Sequence, residues 1–270
     1  MIRSCVTIAL VNDIKTGPWI FWADLEQGMA KASELGFDAI ELFTASASAV
    51  DQIELASLLA KYKLKLAAVG TGAGKVLHGL TLTDPSETVR KQAISFISDM
   101  IAFGAAFGAP AIIGSMQGQQ GQDRSQALAW LAEGLALLSH QAKEKGVALI
   151  YEPLNRYETT LFNTLEAGVN FIESADLRNV KLLADLFHMN IEEADMPASI
   201  RAHVRHIGHV HFADSNRRPV GNGHTEMGPV ASALKEMGYD GYVSAEAFPW
   251  PDPDAAALQT MKAFRQFFRD

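Results

Sequence analysis

The stretch "VALIYEPLNRYETT", residues 147–160, decides the fold. Val147–Tyr151 is a short apolar run, which reads as a buried strand when turn signals bound it. Before it, "SQALAWLAEGLALLSHQAKEKG" (125–146) repeats its apolar residues at helical intervals and stops on Gly146, a residue suited to a helix end. After it, "TLEAGVNFIESA" opens a second helix from Thr164, a capping residue. The unit is therefore helix, buried strand, helix. An acid, Glu152, stands directly at the strand's end, followed by Pro153, Asn155, Arg156 and a second acid, Glu158. A carboxylate at the mouth of an apolar strand is costly unless something pairs with it.

The same unit recurs in both directions. Apolar runs fall near 2–10, 38–43, 65–70, 111–114, 147–151, 180–184, 206–212 and 242–245, with helical patterns between them. Among the helices, Gly36 closes the first, and "DPSETVRKQ" predicts a helix capped by Asp84 with Pro85 in its first turn. Eight strands alternating with helices predict a single-domain (β/α)8 TIM barrel over residues 1–270, with its chemistry at the C-terminal ends of the strands. A doubly wound open sheet is the alternative. It wants a glycine-rich dinucleotide turn after the first strand, and "ALVNDIKTGPW" has none. "GTGAG" (70–74) lacks the full dinucleotide spacing and reads as a turn that lets backbone approach a ligand.

Bulk properties bound the partners. The 270 residues carry a formal net charge of −8, and the basic clusters are short, which argues against nucleic acid. The lone Cys5 sits inside "CVTIALV", where it cannot form an internal disulfide. With no signal-peptide pattern and no apolar run long enough to span a bilayer, the expectation is a cytoplasmic protein without a membrane partner.

The strand ends carry ligand-type side chains. The fifth run ends in Glu152 and the sixth in Asp185; the seventh carries His211 and Asp214, and the eighth ends in Glu246. Glu152, Asp185, His211 and Glu246 form an oxygen-rich set with one imidazole and no thiolate. That set suits a hard or borderline divalent ion such as Mn2+, Mg2+ or Co2+, with Zn2+ less expected. Each residue also has a structural reading: Glu152 paired with Arg156, Asp185 capping the next helix, His211 a core histidine beside His209, and Glu246 paired with a barrel cation. His188, three residues beyond Asp185, belongs near the same mouth.

The strings "YEPLNRYET", "LLADLFHMNIEE", "HVHFADSNR" and "VSAEAFP" resemble the ketose 3-epimerases among the xylose-isomerase-like sugar isomerase/epimerase barrels. The resemblance covers most of the chain and is strongest over 147–250. It implies one divalent metal ion, Mn2+ foremost, held by Glu152, Asp185, His211 and Glu246. It implies that Glu152 and Glu246 double as acid/base groups that invert the carbon next to a carbonyl through a cis-enediolate. Substrate contacts are implied for Glu158, His188 and Arg217, and a homodimer or tetramer for the assembly. Where tagatose and allulose epimerases carry a Ser-Glu pair, this chain has Ala213-Asp214. It also resembles a 5-keto-gluconate epimerase subgroup, in which Arg217, Arg218 or Arg124 would meet a substrate carboxylate. The expected substrate is thus a keto sugar or a keto sugar acid. An aldose–ketose isomerase or an inosose-dehydratase-type lyase on the same site is the alternative.

Overall fold

The computed structural model describes residues 1–14 and 16–269. Its strands are β1 (Arg3–Leu10), β2 (Phe21–Trp22), β3 (Ala39–Thr44), β4 (Lys65–Gly70), β5 (Ala111–Ile113), β6 (Leu149–Tyr151), β7 (Val180–Asp185), β8 (Ile207–His211) and β9 (Tyr242–Ala245). All neighbours run parallel, and β9 pairs back onto β1, so eight of the strands close a barrel with helices between them. The predicted (β/α)8 architecture is the one observed. The additional β2 lies outside the ring, paired with β1 at Ile8 and Ala9. It is two residues long, too short to leave a periodicity in the sequence.

Several helix ends follow from the sequence. Gly36 terminates Leu25–Leu35 with φ of 86°, which a residue without Cβ adopts at no steric cost. Thr164 caps Leu165–Ser174 by accepting from the Ala167 N–H. The expectation at Asp84 is corrected. That helix begins at Glu87, with Ser86 as its cap residue. The Asp84 carboxylate instead accepts from Ser86 N–H, while Arg90 binds the Asp84 and Pro85 carbonyls. The two residues before the helix are thereby held as a turn.

Strand alternation builds the barrel interior in layers, because residues two apart on a strand face the same side. Ala68, Ile112, Ile150 and Leu183, from β4 to β7, form a closed apolar cluster. One step of two residues toward the C-terminal ends brings Gly70, Gly114, Glu152 and Asp185. The same step on β3 and β8 runs from Glu41 to Phe43 and from His209 to His211. The site therefore stands on an apolar plug along β4 to β7, with Glu41 and His209 completing that layer on β3 and β8, at the face where barrel enzymes do chemistry. Among the described residues no helix is long and apolar enough to cross a membrane.

Candidate active site

Four side chains from successive strands converge above the plug. One ligand-type atom from each of Glu152, Asp185, His211 and Glu246 lies within 4.8 Å of all the others. His211 Nδ1 is the hub: 3.2 Å from Asp185 Oδ2, 3.3 Å from Glu246 Oε2 and 3.7 Å from Glu152 Oε1. The structural readings of these residues resolve one by one. Arg156 does not pair with Glu152; it forms a bidentate pair with Glu192, both N···O distances being 2.9 Å. Asp185 does cap its helix, but only through Oδ1, which accepts from Phe187 and His188 N–H. Its Oδ2 remains for the cluster. Glu246 pairs with Arg217 Nη2.

A ring of partners surrounds the cluster. Arg217 Nη2 is 3.6 Å from Asp185, and Nη1 is 3.6 Å from Glu158. Asn155 donates to Glu158 Oε1 at 3.0 Å and approaches His188 Nδ1 at 2.7 Å. The Asn155 backbone N–H also donates to that Nδ1. His188 Nδ1 is thus an acceptor, which leaves the proton on Nε2. His188 Nε2 and Glu152 Oε1 are both buried without a hydrogen-bond partner. A buried carboxylate oxygen without a hydrogen-bond partner, set beside two further carboxylates and an imidazole, is one that a divalent ion would satisfy, so the donor set fits such an ion.

Burial raises the Glu152 carboxyl well above the usual carboxylate range, with Glu246 and Asp185 adding to it against the opposing charge of His211. For Glu246, burial acts the same way but is outweighed by His211 and Arg217, and its pKa is lowered. Asp185 is lowered too, burial being overcome by His188, His211 and Arg217.

The cluster opens into a cavity of about 230 Å³, lined on its far side by Trp19, Phe43, Gly72, Val76, Ser115 and Leu154. Trp19 stacks on Phe43 with ring centroids 4.2 Å apart. The "GTGAG" turn does reach this cavity, through Gly70 and Gly72. Asp214 does not join the cluster. It is buried in the loop beyond β8, where its carboxylate accepts from the N–H groups of Ser215, Gly221 and Thr225. That loop holds Arg217 at φ of 58°. His224 bonds Ser215 within the same loop. Arg124 and Arg218 are spent elsewhere, the first on the Thr160 and Leu161 carbonyls and the second over the Trp250 ring.

Two residues in contact with the cluster escaped the sequence reading. Glu41, 5% exposed in β3, accepts at the other nitrogen of His211. An acid in the middle of "DAIELF" was a visible signal. Gly114, after β5, lies against Glu152, and a Cβ there would overlap Glu152 Oε2. The oxygen sits at the end of a flexible side chain, so Gly114→Ala displaces the carboxylate rather than the backbone. The expected result is a melting temperature within a few degrees of wild type. Turnover falls by about 100-fold, the scale on which an ångström of misplacement acts. Thermal melts and steady-state rates on the same sample check it.

The chain matches the model of a family described as a xylose isomerase-like TIM barrel over residues 29–267. It is 30% identical over 237 residues to the D-psicose 3-epimerase of Ruminiclostridium cellulolyticum, covering 84% of this chain and 79% of that one. It is 32% identical over 233 residues to the L-ribulose 3-epimerase of Mesorhizobium japonicum, covering 84% and 76%. A solved structure of an L-ribulose 3-epimerase superposes with a TM-score of 0.81 at 26% identity, covering 98% of this chain and 94% of that one. The buried acid-and-histidine cluster at the strand ends thus stands on a shared scaffold: the chain belongs to the xylose isomerase-like TIM barrel family, and within it to the ketose 3-epimerase-like sugar epimerases.

Proposed function

We propose that this protein is a divalent-metal-dependent epimerase that inverts the carbon next to the carbonyl of a keto sugar through a cis-enediolate. The observation that carries the reading is the approach of Glu152 and Glu246 from strands separated by β7 and β8 onto one buried cluster, with Glu152 Oε1 unpaired. Inversion needs an acid/base group on each face of the reacting carbon, and two glutamates reaching one site from different sides supply that. The ion, Mn2+ foremost, would be held by Glu152, Asp185, His211 and Glu246. When bound it supplies Lewis acidity at the carbonyl and stabilises the developing negative charge.

The remaining steps belong to the side chains. One glutamate takes the proton from the carbon next to the carbonyl, and the other returns a proton on the opposite face. His188 Nε2–H, held by Asn155 in that tautomer, donates to a substrate oxygen. Arg217, held between Glu246 and Glu158, orients the substrate. Glu158 accepts from a substrate hydroxyl. Trp19, Phe43 and Leu154 pack against the carbon chain and limit water access.

Of the two substrate classes, the cavity favours a neutral keto sugar over a keto sugar acid. Arg217, the lining arginine, already faces three carboxylates, and Arg124 and Arg218 point elsewhere. Among the described residues, a substrate carboxylate would meet acids rather than a free side-chain cation, at a cost of a few kcal/mol. The expected kcat/KM for a neutral ketose exceeds that for the matching keto acid by about 100-fold, on the scale where each 1.4 kcal/mol is tenfold. A panel of ketopentoses, ketohexoses and their keto acids, run in D2O with Mn2+ and followed by NMR, tests the reading. Epimerisation with deuterium entering at the inverted carbon supports it. An aldose product would mean an isomerase, and loss of water a lyase. A cytoplasmic homodimer or tetramer completes the proposal, checked by size-exclusion chromatography with light scattering.

A further inference from the structure

The cluster has a floor. β3 and β8 are not neighbours in the sheet, since β1 and β9 stand between them. Glu41 nonetheless reaches across the barrel interior to two histidines of β8. Its Oε2 is 2.8 Å from His209 Nε2 and its Oε1 is 3.2 Å from His211 Nε2. All three residues are buried, and among the described residues no lysine or arginine contacts Glu41. An ionised carboxylate only accepts, so both Nε2 atoms must carry a proton. For His211 this has a directional consequence. Nδ1 faces Glu152, Asp185 and Glu246, 3.2 Å from Asp185 Oδ2; a cation bound there would take the place of its proton, and with Nε2 kept protonated by Glu41 the lone pair would stand on Nδ1.

We infer that Glu41 is a positioning residue: it fixes the tautomer and ring orientation of His211 so that Nδ1 is offered to the cation, and His209 holds the second Glu41 oxygen in place. The inference rests on the proposed metal site. Neither Glu41 nor His209 lines up as a ligand of the four-residue cluster, so their effect must pass through His211. Partners of this kind, bonded to the far nitrogen of a ligating imidazole, typically matter by 10- to 100-fold in metal affinity.

The test is Mn2+ binding, measured by competition with a fluorescent chelator on wild type, Glu41→Gln and His209→Gln. The glutamine keeps the size of Glu41 but can no longer accept from both histidines. The expected dissociation constant for Mn2+ rises at least about 10-fold in Glu41→Gln and by a smaller factor in His209→Gln. KM for the sugar at saturating Mn2+ stays within about twofold, because neither residue is assigned a substrate contact. In Co2+-loaded protein the visible absorption bands of Glu41→Gln shift, reporting altered imidazole ligation. A merely structural role would lower the metal-free melting temperature and leave the Mn2+ affinity of the folded fraction unchanged, which overturns the inference. If Glu41→Gln does not fold, His209→Gln decides: unchanged affinity refutes the positioning role. Wild type that binds no Mn2+ would overturn the metal reading and this inference with it. Wild type that binds tightly, alongside variants that bind equally well, would overturn this inference alone.

Discussion

Glu152→Gln and Glu246→Gln are each expected to lose epimerisation by about three orders of magnitude, within the range that positioned proton transfer contributes. Glutamine preserves the shape of each side chain and leaves an oxygen for its neighbours. At residue 246 that oxygen can still accept from Arg217, so the loop beyond β8 keeps its anchor. What disappears is the group that takes or gives a proton. The two variants should also differ in a way no general damage would mimic. With one glutamate gone, the other can still remove a proton and return it on the same face. In D2O, a substrate epimer whose proton faces the surviving glutamate should then take up deuterium without inverting. Running both epimers with both variants therefore assigns a face to each residue. Full epimerisation by either variant, with Mn2+ content matched to wild type, would refute the two-base scheme.

The cluster of Glu152, Asp185, His211 and Glu246 was largely legible in the sequence, for a reason tied to barrel construction. The apolar runs are short, and the residue just past each one is forced to the C-terminal face. Glu152, Asp185 and Glu246 announce themselves as acids where an apolar run stops, and His211 by its place in an alternating strand. The strings around Glu158, His188 and Arg217 added the substrate side by resemblance. What stayed hidden needs three dimensions. Glu41 lies inside a run read only for its apolar character, and its partners are 168 and 170 residues away. Gly114 shows its role only where the Glu152 carboxylate is packed against it. Trp19 reaches the cavity from the loop between β1 and β2, a segment without periodicity. Asp214 was legible as an acid near the mouth, but its three backbone partners, and hence its place in the loop rather than the cluster, follow from how residues 214–225 turn back on themselves.

Stripping the metal should silence the enzyme and soften it at the same time. Glu152, Asp185 and Glu246 bring three acids together in one site, facing Arg217 and His211. A divalent ion that binds only the folded state adds about 2.7 kcal/mol of stability at 100 times its Kd. For a chain this long that corresponds to a rise in Tm of roughly 6 °C. The expected result is that chelator-treated protein turns over no keto sugar, melts about 6 °C lower, and regains both properties on Mn2+ addition. Asp185→Asn separates ligation from structure, because Asp185 divides its oxygens between the two. The asparagine oxygen can still cap Leu186–Glu192 through the Phe187 and His188 N–H groups. Its amide nitrogen would then face the cluster as a donor where an anionic acceptor stood. Metal-free Asp185→Asn should therefore melt close to metal-free wild type, while Mn2+ affinity falls by about 100-fold, near 2.7 kcal/mol. If the stripped wild-type protein, verified free of metal by elemental analysis, kept its full rate, the cluster would have to be an acid/base network without an ion, and the assignment of Asp185 and His211 as ligands would fall.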